Sequence, residues 1–137
     1  MAKTSTTGVP AVPEDVLNAF RARREVIINA ATRRAMQFAE EVEQHGEKAE
    51  ELIQSGLTFT VKAIEAAMQT GNTGILDFQI PWGMDRLQHD QVQPGQVLHR
   101  FKIIKQVVTD MFDTQIAQHI NPYIDHLIAQ QEEGMQK

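Results

Sequence analysis

The 137-residue chain contains no cysteine, which removes disulfide scaffolds, thiolate zinc sites, iron–sulfur clusters and thiol nucleophiles from the functions open to it. Serine is nearly as scarce. Ser5 lies in an N-terminal stretch of small polar residues and Ser55 stands beside Gly56, and neither has the strand-turn-helix surroundings that expose a nucleophilic hydroxyl. The turn Gly71-Asn72-Thr73-Gly74 lacks the lysine of a phosphate-cradling loop. No apolar run reaches the roughly 20 residues of a membrane-crossing helix. Met1-Ala2-Lys3-Thr4-Ser5 leads into no signal-peptide hydrophobic segment, so the expected compartment is the cytoplasm, with no membrane partner. Sustained period-two alternation and Asn-Gly or Asp-Gly hairpin turns are also missing, which leaves nothing to build a sheet from. With no catalytic constellation, the chain is not expected to be an enzyme.

What is present is the balance of a globular protein: 42% hydrophobic and 23% charged residues, enough for one core and too few residues for two ordinary domains. The formal net charge of −5 argues against a nucleic-acid partner. Arg21, Arg23, Arg24, Arg33 and Arg34 form a basic cluster that a helix would spread over more than one face, and Glu25 sits among them, so a solvated surface is expected. The acidic residues Glu40, Glu41, Glu43, Glu47, Glu50 and Glu51 are expected to be solvated too.

Residues 1–12 carry no period and are expected to form an arm, with one all-helical domain over 13–137. Pro13-Glu14-Asp15 has a helix-start signature. From there Val16, Phe20, Ile27, Ala31, Ala35, Phe38 and Val42 predict one apolar stripe of about 30 residues up to His45-Gly46, with room for a break around Asn29 to Thr32. A short helix over 47–54 is expected to end at Ser55-Gly56. Leu57, Val61, Ile64 and Met68 mark the next, closed by Gly71-Asn72. Thr73 could cap a further turn with Ile75, Leu76 and Phe78; Trp82 to Leu87 forms a short helix, and Val92-Gln93-Pro94-Gly95 a corner. The cleanest stripe is Val97, Leu98, Phe101, Ile104, Val108, Met111, Phe112, Ile116 and Ile120, with Pro122 expected to break or kink it before Tyr123, Ile124, Leu127 and Ile128 restart an apolar face.

Five histidines, His45, His89, His99, His119 and His126, raise the question of a metal. The Glu-x-x-His pairs of a dinuclear centre in a helical bundle are missing, and Glu41 with His45 or Asp85 with His89 fall in charged segments, so no metal site is expected. His119 and His126, seven apart, would share a stripe only if Pro122 did not intervene. Trp82 and Tyr123, each the sole residue of its type, are expected to anchor the core.

The order of helices, with Trp82-Gly-Met-Asp-Arg-Leu-Gln-His-Asp-Gln-Val-Gln-Pro before a Phe-bearing amphipathic helix, resembles the globin-like sensor class. Aligning Val92 with the corner aliphatic residue of that class puts Leu87 where the haem-ligating histidine would be. His89, two residues on, is rotated by about 200° on a helix. A globin-like domain without that histidine is similar to the N-terminal domain of stressosome proteins of the RsbR type, through Arg86, Leu87, Val92 and Phe101. The resemblance implies an all-α, globin-like bundle of about six to seven helices. It also implies a cytoplasmic sensor in stress signal transduction that takes no cofactor, forms a homodimer through its long C-terminal helices and passes a signal to a downstream domain or regulatory protein. The alternative is a haem- or other cofactor-binding globin-like protein using His89 or His99 as ligand. Trp82, Leu87, His89, His99 and Phe101 are the candidate pocket residues.

Overall fold

Acidic Glu14 and Asp15 at one end and basic Arg33 and Arg34 at the other oppose the dipole of the first helix, α1 (Glu14–Ala35), and so favour it. The protein was analysed as a computed structural model, which describes residues 12–38, 42–43, 46–77 and 94–135. After α1 come a 3-10 turn (Gly46–Lys48), then α2 (Ala49–Thr70), α3 (Pro94–Met111) and α4 (Thr114–Met135). Residues 42–43 and 74–77 are also helical, and there is no strand among the described residues.

α1 stops at Ala35, short of the His45-Gly46 stop read from its stripe, and runs unbroken through Asn29 to Thr32. Thr32 tolerates its interior position because its hydroxyl donates to the Ile28 carbonyl at 2.8 Å. The end tightens through Gln37 N–H to Arg34 and Phe38 N–H to Ala35, the shorter-period bonding common at helix termini. Phe38, expected on the apolar face, is therefore beyond the helix and 46% exposed.

α2 is one helix, not two. Ser55-Gly56 lies in its interior. It ends where expected, with Gly71 left-handed at φ 68° and the Asn72 N–H bonded back to Ala67 at 3.1 Å. Two further boundaries differ from the sequence pattern. The long stripe from Val97 is interrupted at Phe112-Asp113, where the Asp113 carboxylate accepts the Ile116 N–H at 3.0 Å and starts α4. Pro122, the expected break, sits inside α4.

The break at 112–113 folds α3 and α4 into an antiparallel pair, tied by Lys105 to Asp125 at 2.7 Å, Lys102 to Glu132 at 3.9 Å and Asn121 to Thr109 at 3.3 Å. α1 packs along α2 and α3, and the core joins all four helices. Its largest fully buried members include Tyr123, Phe20, Ile27, Ile53, Leu57 and Ile104. Val97, Phe101, Ile104, Val108, Phe112, Ile120, Tyr123, Ile124 and Leu127 are all buried within the single chain. The apolar stripes of α3 and α4, the helices expected to form a dimer interface, thus pack on each other and on α1 and α2. No described helix is long and apolar enough to cross a membrane.

Candidate functional site

His99, Arg100 and Phe101 follow one another on α3, so their side chains leave the helix about 100° apart. Phe101 turns inward and is 5% exposed. His99, half-buried, meets the ring of Phe38 edge to face, with centroids 4.0 Å apart and planes at 84°. The two described candidates therefore do not share a face. Trp82, Leu87 and His89 lie outside the described residues.

Arg100 was not among the candidates, and it is the most unusual side chain here: a guanidinium on an apolar helix face, 4% exposed. It lies against α2 so closely that a Cβ on Gly56 would come within 2.9 Å of its Nη1. A buried guanidinium demands hydrogen-bond partners, and its planar fork is suited to carboxylates and carbonyls. The sequence does carry a signal for it. Arg100 is three residues after Val97 and four before Ile104, an inward position on the α3 stripe, and Gly56 is a glycine within helical periodicity.

At the opposite end of α2, Asp77 Oδ1 is 2.6 Å from His126 Nε2, which ties residues 74–77 to α4. Because α4 continues through Pro122, His119 and His126 do belong to one helix. Thr73 begins the 74–77 turn with its carbonyl, which accepts from Leu76 and Asp77. Its fully buried hydroxyl oxygen has no hydrogen-bond partner among the described residues. No group of three or more His, Asp or Glu side chains among the described residues is placed to hold a metal.

The basic cluster of α1 is less solvated than its sequence suggests. Arg21 Nε and Arg24 Nη1 converge on the Glu65 carboxylate of α2 at 2.9 and 2.5 Å, and Arg34 reaches Asp110 of α3 at 2.9 Å. Burial pushes the Glu65 carboxyl up, but the hydrogen bonds and charges of Arg24 and Arg21 outweigh it and hold the group below its ordinary value. Glu43, Glu47, Glu50 and Glu51 are exposed, as expected, and Glu40 and Glu41 lie outside the described residues.

Helices alone among the described residues, with a core shared by all four, define an all-α body. A family model described as "Phycobilisome protein" matches residues 14–130, most of the chain, and the chain belongs to that family. No curated protein sequence matches it. The family's fold is globin-like, and its members are structural light-harvesting subunits, not enzymes, that associate with one another.

This membership overturns the resemblance to RsbR-type stressosome domains, and with it the sensor, signal-transduction and stress-response functions. Of the residues that carried the resemblance, Arg86, Leu87 and Val92 lie outside the described residues, and Phe101 is a core residue of α3. The expectation of no cofactor falls as well, because the family binds bilins covalently. The alternative, a cofactor-binding globin-like protein, is nearer, with an open-chain tetrapyrrole in place of haem. In one respect the residues do not fit the family's pigment: covalent attachment uses a cysteine sulfur, and the chain has none.

Proposed function

We propose that the chain is a light-harvesting subunit of the phycobilisome kind: a non-catalytic globin-like body that takes up an open-chain tetrapyrrole and works in an assembly of like subunits. The observation that carries this is the family match across residues 14–130. A closely packed helical body suits the task physically. An open-chain tetrapyrrole loses excitation by twisting about its methine bridges, and a rigid protein wall restrains that motion. Trp82, Leu87, His89 and the half-buried His99 remain the proposed pigment neighbours. Phe101 supports α3 from the core side. A homodimer is the proposed minimal assembly. Only Val26, Phe38 and Met135 are large exposed hydrophobics among the described residues, so this state draws support from the family's habit of association and not from an apolar patch.

Titration of the purified chain with biliverdin, followed by visible absorption and emission, tests the pigment half. A saturable, red-shifted band with enhanced emission is expected, and unchanged spectra of free pigment would reject it. Sedimentation at micromolar concentration tests the assembly half. A lone species at the chain mass of 15.5 kDa, with and without pigment, would reject the dimer.

A further inference from the structure

We infer that this chain holds its tetrapyrrole without a covalent bond, so that the pigment is exchangeable; the inference rests on the pigment-binding function proposed above. A covalent bilin forms when a thiol adds across an exocyclic carbon–carbon double bond. The S–C bond forms, the π bond is consumed, the proton passes to the neighbouring carbon, and no oxidant or reductant is needed. That step requires a thiolate, and no residue of the 137, the matched span 14–130 included, supplies one.

Several of the described side chains that could replace a thiol are engaged elsewhere. Lys105 and Lys102 face carboxylates across the α3–α4 pair, at 2.7 Å from Asp125 and 3.9 Å from Glu132. His126 Nε2 is held by Asp77. The hydroxyls of Thr32, Thr58, Thr60 and Thr70 donate to backbone carbonyls one turn back in their own helices, so no base stands over them. Tyr123 is fully buried in the core, and burial raises its phenol above the ordinary value of 10.0, away from the reactive anion. Occupancy is then set by mass action between free and bound pigment, and native-state stability rises with pigment concentration instead of being fixed at synthesis.

The test uses the full chain loaded with biliverdin and divided in two. One half is desalted in native buffer and the other in acidic urea, and both are read by absorption and intact mass. Retention of the visible band in native buffer, its loss from the protein fraction in urea, and an intact mass unchanged from the 15.5 kDa chain are expected. Transfer of the native band to an excess of serum albumin would add to this. A mass raised by one pigment in urea would overturn the inference while leaving the light-harvesting function standing. No protein-bound band in either half would overturn both.

Discussion

α2 contains two glycines with opposite consequences. Gly71 ends the helix: its φ of 68° is left-handed, and the chain turns back on itself there. Gly56 lies in the middle of the same helix and does not disturb it. Its small size is used sideways, where the Arg100 guanidinium of α3 occupies the space a Cβ would take. The same contrast recurs between α3 and α4. Pro122 sits inside a continuous helix, while the α3–α4 boundary falls at Phe112-Asp113, which contains no proline. Residue type alone does not set these boundaries. Backbone bonds, caps and what the neighbouring helix requires decide them.

The largest expected effect sharpens the role of Gly56. Leucine at this position must displace a 4%-exposed guanidinium from a packed interface, and we expect Gly56→Leu to lower stability by about 1–3 kcal/mol, read as a reduced denaturant midpoint. In an Arg100→Ala background the same substitution should cost less, with a coupling of about 1 kcal/mol or more. Strict additivity would mean that the glycine is not there for the arginine.

Pro122→Ala comes next and has the opposite sign. Proline removes one interior helix bond and crowds the preceding turn, at a cost of about 3 kcal/mol, partly offset by the stiffer unfolded chain, so alanine should stabilise by about 2 kcal/mol. A loss of stability on this substitution would show instead that the core is shaped around the proline ring. Gly71→Ala should be a smaller change, a loss of about 1 kcal/mol from a side chain forced into the left-handed region. Equal costs at Gly56→Ala and Gly71→Ala would erase the contrast between them, because alanine at position 56 also gains helix propensity of about 1 kcal/mol.

The same contrast explains which parts of the fold were legible in the sequence. The apolar stripes of α1, α2, α3 and α4 could be read from spacing, since burial needs only the right period, and Gly71-Asn72 was read correctly as an end. Ser55-Gly56, Pro122 and the end of α1 differ from the sequence pattern for separate reasons: Gly56 faces Arg100 on another helix, Pro122 lies within a continuous α4 that starts at the Asp113 cap, and α1 closes early through local bonds from Gln37 and Phe38. The dimer interface expected on the C-terminal helices follows from the resemblance, and the apolar faces of α3 and α4 are buried within the single chain. Arg100 is hard to single out in the sequence because a charged residue within an apolar stripe is seldom buried, whereas here it is 4% exposed. The family was misread because helix order and a corner pattern belong to a fold, while the feature that would have named a pigment-carrying family, an attachment cysteine, is missing from this chain.

The smallest effect extends the comparison from the α2–α3 contact to the α1–α2 one, where charges, not size, hold the helices. Glu65, between Arg21 and Arg24, has its carboxyl held below the ordinary value of 4.5 in the folded chain, so the folded state binds its proton less readily than the unfolded state does. The stability this group contributes is present above 4.5 and is lost as pH falls through the lower folded value. Glu65→Gln should therefore be less stable than the parent at pH 7, and the gap should close as the pH drops below 4.5 and the parent carboxylate becomes protonated. Paired denaturant melts across that range measure the gap directly. If it stayed constant, α1 and α2 would be held by their apolar faces alone, with the two arginines no more than solvated neighbours of Glu65.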